Sequence, residues 1–105
     1  MYSRFAYLLG GVDENDRAQF NHDLETQVLS LIRSMPGVAQ AHFHFTDVAD
    51  SGAPDIYAVL TITYASQEDM ELALASPIRG EMQSQFRALL PKFKGSIVHI
   101  NSDMR

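Results

Sequence analysis

The chain contains no cysteine in its 105 residues. That excludes disulfides, zinc–thiolate sites and cysteine nucleophiles, and it fits a reducing cytoplasm. Positive charge is also short: the formal net charge is −5. Broad binding to nucleic acid or to an anionic membrane needs a cationic surface, so neither is expected as a partner. Long apolar runs are missing too. Residues Met1–Gly11 carry one arginine and a short apolar stretch, too short for a secretory signal. No segment approaches the roughly 20 apolar residues of a membrane span. There is no internal repeat, low-complexity tract or linker. No serine-centred nucleophile elbow, phosphate-binding glycine loop or metalloprotease motif is found.

What remains is a chain that is 46% hydrophobic and 20% charged, the balance of a globular protein. Its length suits one domain over residues 1–105. Arg4–Leu9 reads as a strand ended by Gly10-Gly11. Asp13, Asn15 and Asp16 are cap candidates for a helix. Phe20, Leu24, Val28, Leu31, Ile32 and Met35 recur at helical spacing, and Pro36-Gly37 stops the helix. Val38–Thr46 alternates as a strand, and Asp47–Pro54 is a polar hairpin loop. Ile56–Tyr64 is the next strand. Ser66 with Asp69 resembles a capping box, opening a short helix with Met70, Ala73 and Leu74 inward. Ser76-Pro77 starts another helix, with Ile78, Met82, Phe86 and Leu89 as its apolar stripe. Pro91 and Gly95 end it, and Ser96–Asn101 is the last strand.

The order β-α-β-β-α-α-β predicts an α+β, ferredoxin-like domain: a four-stranded antiparallel sheet with helices on one face. Ile56–Tyr64 then raises a difficulty. One face carries Ile56, Ala58, Leu60, Ile62 and Tyr64, and the other carries Tyr57, Val59, Thr61 and Thr63. A wet face would normally be charged, and this one is only mildly polar. A second copy of the chain is the simplest cover, so a homodimer through the helix-free sheet faces is expected.

Phe20 followed by Met35-Pro36-Gly37 and an alternating strand resembles the EthD-type branch of the dimeric α+β barrel superfamily. Leu72-Ala73-Leu74-Ala75-Ser76-Pro77, leading into an amphipathic helix, resembles it more specifically. The resemblance implies a homodimer in which two sheets enclose a barrel-like cavity. It implies small-molecule binding or degradation there, generally without a metal or organic cofactor. The family is named for a protein linked to ethyl tert-butyl ether degradation, and related branches include cofactor-independent oxygenases and isomerases. Many such relatives have a histidine on the first helix and an acidic residue in the last one. Val28 and Gln85 stand at those positions, so the resemblance carries over fold and assembly but no catalytic residue.

The residues supply their own candidates. His42 and His44 share one strand face, since Phe43 and Phe45 need the core side. An imidazole transfers protons near neutral pH, so these are the candidate catalytic pair. Polar residues on a wet edge strand are the competing reading, and two ligands are too few for a metal. Tyr57 and Thr61 are expected to project into the same space and to bind substrate, with Tyr7 and His99 as further candidates. Dimer-interface filler is the competing reading for the tyrosines, and a hydrogen-bonded buried histidine is the one for His99. His22 falls on a solvated helix face. Two functions are thus open. One is an oxidoreductase- or isomerase-type enzyme acting on a small, apolar, oxygenated ligand. The alternative is a non-catalytic accessory or structural dimer.

Overall fold

The structure, a computed structural model, describes residues 1–105. Strands β1 (Tyr2–Val12), β2 (Val38–Phe45), β3 (Ile56–Tyr64) and β4 (Phe93–Asp103) form one antiparallel sheet in the order β2-β3-β1-β4. Helices α1 (Glu14–Asp23), α2 (Ser30–Ser34), α3 (Gln67–Leu74) and α4 (Pro77–Leu89) complete the α+β, ferredoxin-like fold. The helix side is fixed by the buried residues. Ala6 and Leu8 of β1, Ala58, Leu60, Ile62 and Tyr64 of β3, and Phe20, Leu24, Val28 and Ile32 all belong to one buried cluster. No helix is long and apolar enough to cross a membrane.

Both outer strand ends run further than the sequence suggests. Gly10 and Gly11 do not end β1, and Gly95 lies inside β4. Gly10 faces Gly95 across the ladder, followed by Gly11–Lys94 and Val12–Phe93. Gly10 and Gly95 have φ of +137° and +154°. A Cβ on Gly10 would lie 2.0 Å from the Lys94 carbonyl oxygen. This close backbone approach needs the missing side chain, so the pair extends the sheet instead of stopping it.

The first helix is interrupted. Leu24–Leu29 is π-helical and joins α1 to α2. The wider turn rotates the stripe, so Leu29 is buried with Val28, whereas Leu31 is only half-buried. Asp13 makes no side-chain cap bond; its carboxylate pairs with Lys94 Nζ at 2.8 Å. Lys92 pairs with Asp16 at 3.6 Å. These two surface contacts link the start of α1 to the start of β4 and to the turn just before it. The other caps follow the sequence reading. Ser66 Oγ accepts from the Asp69 amide and Ser76 Oγ from the Ile78 amide, each at 3.2 Å.

Candidate functional site

The helix-free face is built from cross-strand rows. Ile100, Phe5, Thr61 and His42 form one row, and Val98, Tyr7, Val59 and His44 form the next. The centre is apolar and the β2 edge carries the imidazoles. Val98 is 44% exposed and Ile100 48%. The Phe5 and Tyr7 rings stack at 6.3 Å between centroids. A third row, Ser102, Ser3, Thr63 and Gln40, is polar throughout. Within it the Ser3 and Thr63 hydroxyl oxygens are buried and have no hydrogen-bond partner.

His42 and His44 lie on this face, their rings 6.3 Å apart. His44 Nε2 is 3.3 Å from Thr61 Oγ1. His42 is held from the other side by Arg33, near the end of α2. Arg33 reaches around the edge strand and donates from Nε (3.0 Å) and Nη2 (2.8 Å) to the Ala41 carbonyl oxygen. Its Nη2 also lies 3.5 Å from His42 Nδ1. A guanidinium can only donate, so a hydrogen bond between the two would have Nδ1 as its acceptor and would favour the Nε2–H tautomer. Chemically, the edge offers two exposed imidazoles, one oriented by a fixed cation and one by a hydroxyl. No group of three His, Asp or Glu side chains is arranged to hold a metal ion.

The structure brings together His42, His44 and Thr61, with Tyr7 on the same face two strands away, and it separates two expected partners from them. Tyr57 does not join the histidines. The β1–β3 register shifts between Leu8 and Leu9, so that Leu8 faces Ala58 and Leu9 faces Ile56. Tyr57 is the extra residue, and it turns to the helix side beside Ala58. There its ring meets Phe20 at 5.7 Å and Phe93 at 6.0 Å, and its hydroxyl bonds Asn21 Oδ1. Burial pushes the Tyr57 phenol up, partly offset by Arg17 and Asn21. His99 is also on the helix side, because it pairs with the buried Ala6. Period two places such residues only while the ladder is regular, and it leaves the face of a strand apolar on both sides undetermined.

Arg33, Ser3 and Asn21 were not flagged by the sequence. Ser3 could have been found, since it keeps period with Phe5 and Tyr7. Arg33 and Asn21 carry no such signal, because their roles depend on which strand their helix crosses. Two surface concavities accompany these groups. One of about 430 Å³ runs along the outer side of β2, beside Arg33, Gln40 and His42. Another of about 330 Å³ opens between Gly11, Arg17, Asp47, Asp55 and Tyr57.

No protein-family model matches the chain, and no curated protein matches it in sequence. Solved structures share its fold. An ethyl tert-butyl ether (EthD) family protein from Bacillus halodurans aligns over 100% of both chains, with a TM-score of 0.74 and 13% identity. A dimeric, ferredoxin-like protein of unknown function from Bacteroides fragilis aligns over 98% of this chain and 96% of its own. Its TM-score is 0.67 and its identity 10%. SnoaB, a cofactor-independent oxygenase from Streptomyces nogalater, aligns over 99% of this chain and 91% of its own. Its TM-score is 0.62 and its identity 14%. The fold implied by the EthD resemblance is thus the fold of this chain.

Proposed function

We propose that this is a cytoplasmic homodimer formed by the helix-free sheet faces. The space at the β2 edges takes a small, apolar, oxygenated molecule, and His42 or His44 moves a proton on it in a cofactor-independent oxygenation or isomerisation. Tyr7 and Thr61 complete the wall. The observation that carries this reading is the pair of rows Ile100–Phe5–Thr61–His42 and Val98–Tyr7–Val59–His44. An apolar centre of that kind is stable in water when another surface covers it. Obligate interfaces typically bury more than about 2,000 Å² in total, so docking of the two sheet faces is expected to bury an area of that order. Fold neighbours described as dimeric and as a cofactor-independent oxygenase lend support.

Sedimentation equilibrium at low micromolar concentration tests the assembly, with a dimer expected. A folded, soluble monomer there removes the enclosed space and the reading with it. Turnover is then tested by oxygen uptake and product analysis on a panel of phenols, quinols and lactones. His44→Gln should lower the rate by roughly 10²–10⁴-fold, the usual contribution of a proton-transfer group, with an unchanged melting temperature.

The second reading is a non-catalytic accessory dimer. Val28 favours it, since the helix position where many EthD-type relatives place a histidine is here 0% exposed in the core. A dimer that binds panel compounds without converting any of them fits this reading.

A further inference from the structure

We propose that the groove along the outer side of β2 is a carboxylate subsite, in which Arg33 and Gln40 hold the acid group of a small organic acid beside His42. The inference rests on the reading that His42 serves a small-molecule site, and it narrows the substrate class from an oxygenated molecule to a carboxylic acid. The groove, of about 430 Å³, is lined by Arg33, Val38, Ala39, Gln40, Ala41 and His42. Gln40 faces Thr63 and His42 faces Thr61 across β3, so both side chains stand on the helix-free face.

Arg33 is the anchor. Ala41 is 1% exposed, and β2 is an edge strand, so no neighbouring strand pairs with its outward carbonyl. Arg33 Nε and Nη2 both donate to that oxygen, at 3.0 and 2.8 Å. These two bonds use the side edge of the planar fork and fix its position. The end edge stays open. Nη1 makes no hydrogen bond within the chain, and Nη2 lies 3.5 Å from His42 Nδ1, beyond the usual hydrogen-bond length.

No aspartate or glutamate lines the groove. The ion pairs of the chain are Lys92–Asp16, Lys94–Asp13 and Arg105–Asp103, so Arg33 has no carboxylate partner. The chain carries 13 acidic residues against 8 basic ones, yet none is set against this guanidinium. A carboxylate matches the open edge, taking one N–H from Nη1 and one from Nη2 as two parallel bonds. The Gln40 amide offers a third donor. An acid held there has its carbon skeleton beside the His42 imidazole. A single guanidinium suits a monoanion. Arg33 also lies in the last turn of α2, where the helix dipole disfavours the second charge of a phosphate ester.

The test is an NMR titration of the intact protein with sodium benzoate, following the Arg33 Nε–H and the His42 ring protons. Benzamide, sodium chloride and inorganic phosphate are titrated in parallel. Saturable shifts at both residues with benzoate, and none with benzamide or chloride, are expected. Arg33→Gln should weaken benzoate at least ~10-fold, the scale of one charge-assisted hydrogen bond, and Arg33→Lys should restore part of it. If Arg33→Gln does not fold, Gln40→Glu decides. Gln40 is exposed, and its replacement leaves the Ala41 bonds in place while a new carboxylate competes for the open edge. Benzoate should again weaken at least ~10-fold, the scale of one charge-assisted hydrogen bond. Absence of saturable shifts, equal affinity for benzamide or phosphate, or affinity unchanged in the folded variants overturns the proposal. Turnover of neutral phenols without benzoate binding overturns it too and leaves the proposed function standing. Benzoate binding without turnover of any panel compound supports it and removes the catalytic reading.

Discussion

The Tyr57 hydroxyl donates to Asn21 Oδ1, joining β3 to α1 on the helix side of the sheet. The Arg17 guanidinium covers the same ring at 5.3 Å from its centroid. Tyr57 therefore ties α1 to β3 through its ring and its hydroxyl. Tyr57→Phe keeps the aromatic packing against Phe20 and Phe93 and loses one hydrogen bond, for a cost of about 1 kcal/mol. Tyr57→Ala also leaves a cavity and costs about 3–5 kcal/mol. Urea melts measure both. A neutral Tyr57→Ala would mean that the ring does not pack in the core.

Ile100→Asp should break the dimer and leave the monomer folded. Ile100 is 48% exposed in the single chain, so a carboxylate there is solvated until a partner covers it. Burying it unpaired then costs several kcal/mol. Gel filtration should show a late-eluting species with wild-type circular dichroism. An unchanged elution volume would place the interface elsewhere.

Arg33→Met should destabilise the chain by about 1.5–3 kcal/mol, the range for hydrogen bonds to charged groups. It uncovers the Ala41 carbonyl on the edge strand and frees His42 Nδ1. Imidazole ¹⁵N shifts provide the second readout. Wild-type His42 should report the Nε2–H tautomer, and the variant a mixture. Identical spectra would show that Arg33 does not orient the ring.

Adjacent glycines should respond differently. Gly10→Ala puts a Cβ 2.0 Å from a backbone oxygen at φ +137° and should cost more than about 3 kcal/mol. A Cβ on Gly11 meets nothing within 4 Å, and Gly11→Ala should be tolerated. Thermal melts of the two variants decide this, and equal losses would contradict the Gly10–Gly95 approach.

His99 should make stability rise with pH on the acid side of neutrality. Its folded value is held below the ordinary 6.5, by burial first and then by Arg4 and Arg79. In that window the unfolded chain binds more protons than the folded one, so raising the pH favours folding until about 6.5, above which the effect levels off. Urea melts between pH 5 and pH 7.5 should show a smaller slope in His99→Gln than in wild type. Parallel slopes would place His99 in bulk solvent.

Local chemistry set the element order, the Ser66 and Ser76 caps, the stripe Ile78, Met82, Phe86 and Leu89, and the common face of His42 and His44. Each depends on neighbours a few residues apart, where helical or strand periodicity acts directly. Tertiary structure decided the rest. Gly10 extends β1 because Gly95 faces it 85 residues later. Leu29 replaces Leu31 in the core because the helix widens at Leu24–Leu29. Tyr57 leaves the histidines because β1 and β3 slip by one residue at Leu8. Arg4 and His99 share a face only because β4 docks on β1 in the register that pairs Ala6 with His99. Such placements depend on distant pairing, and one slipped residue is enough to move a side chain from one face of the sheet to the other.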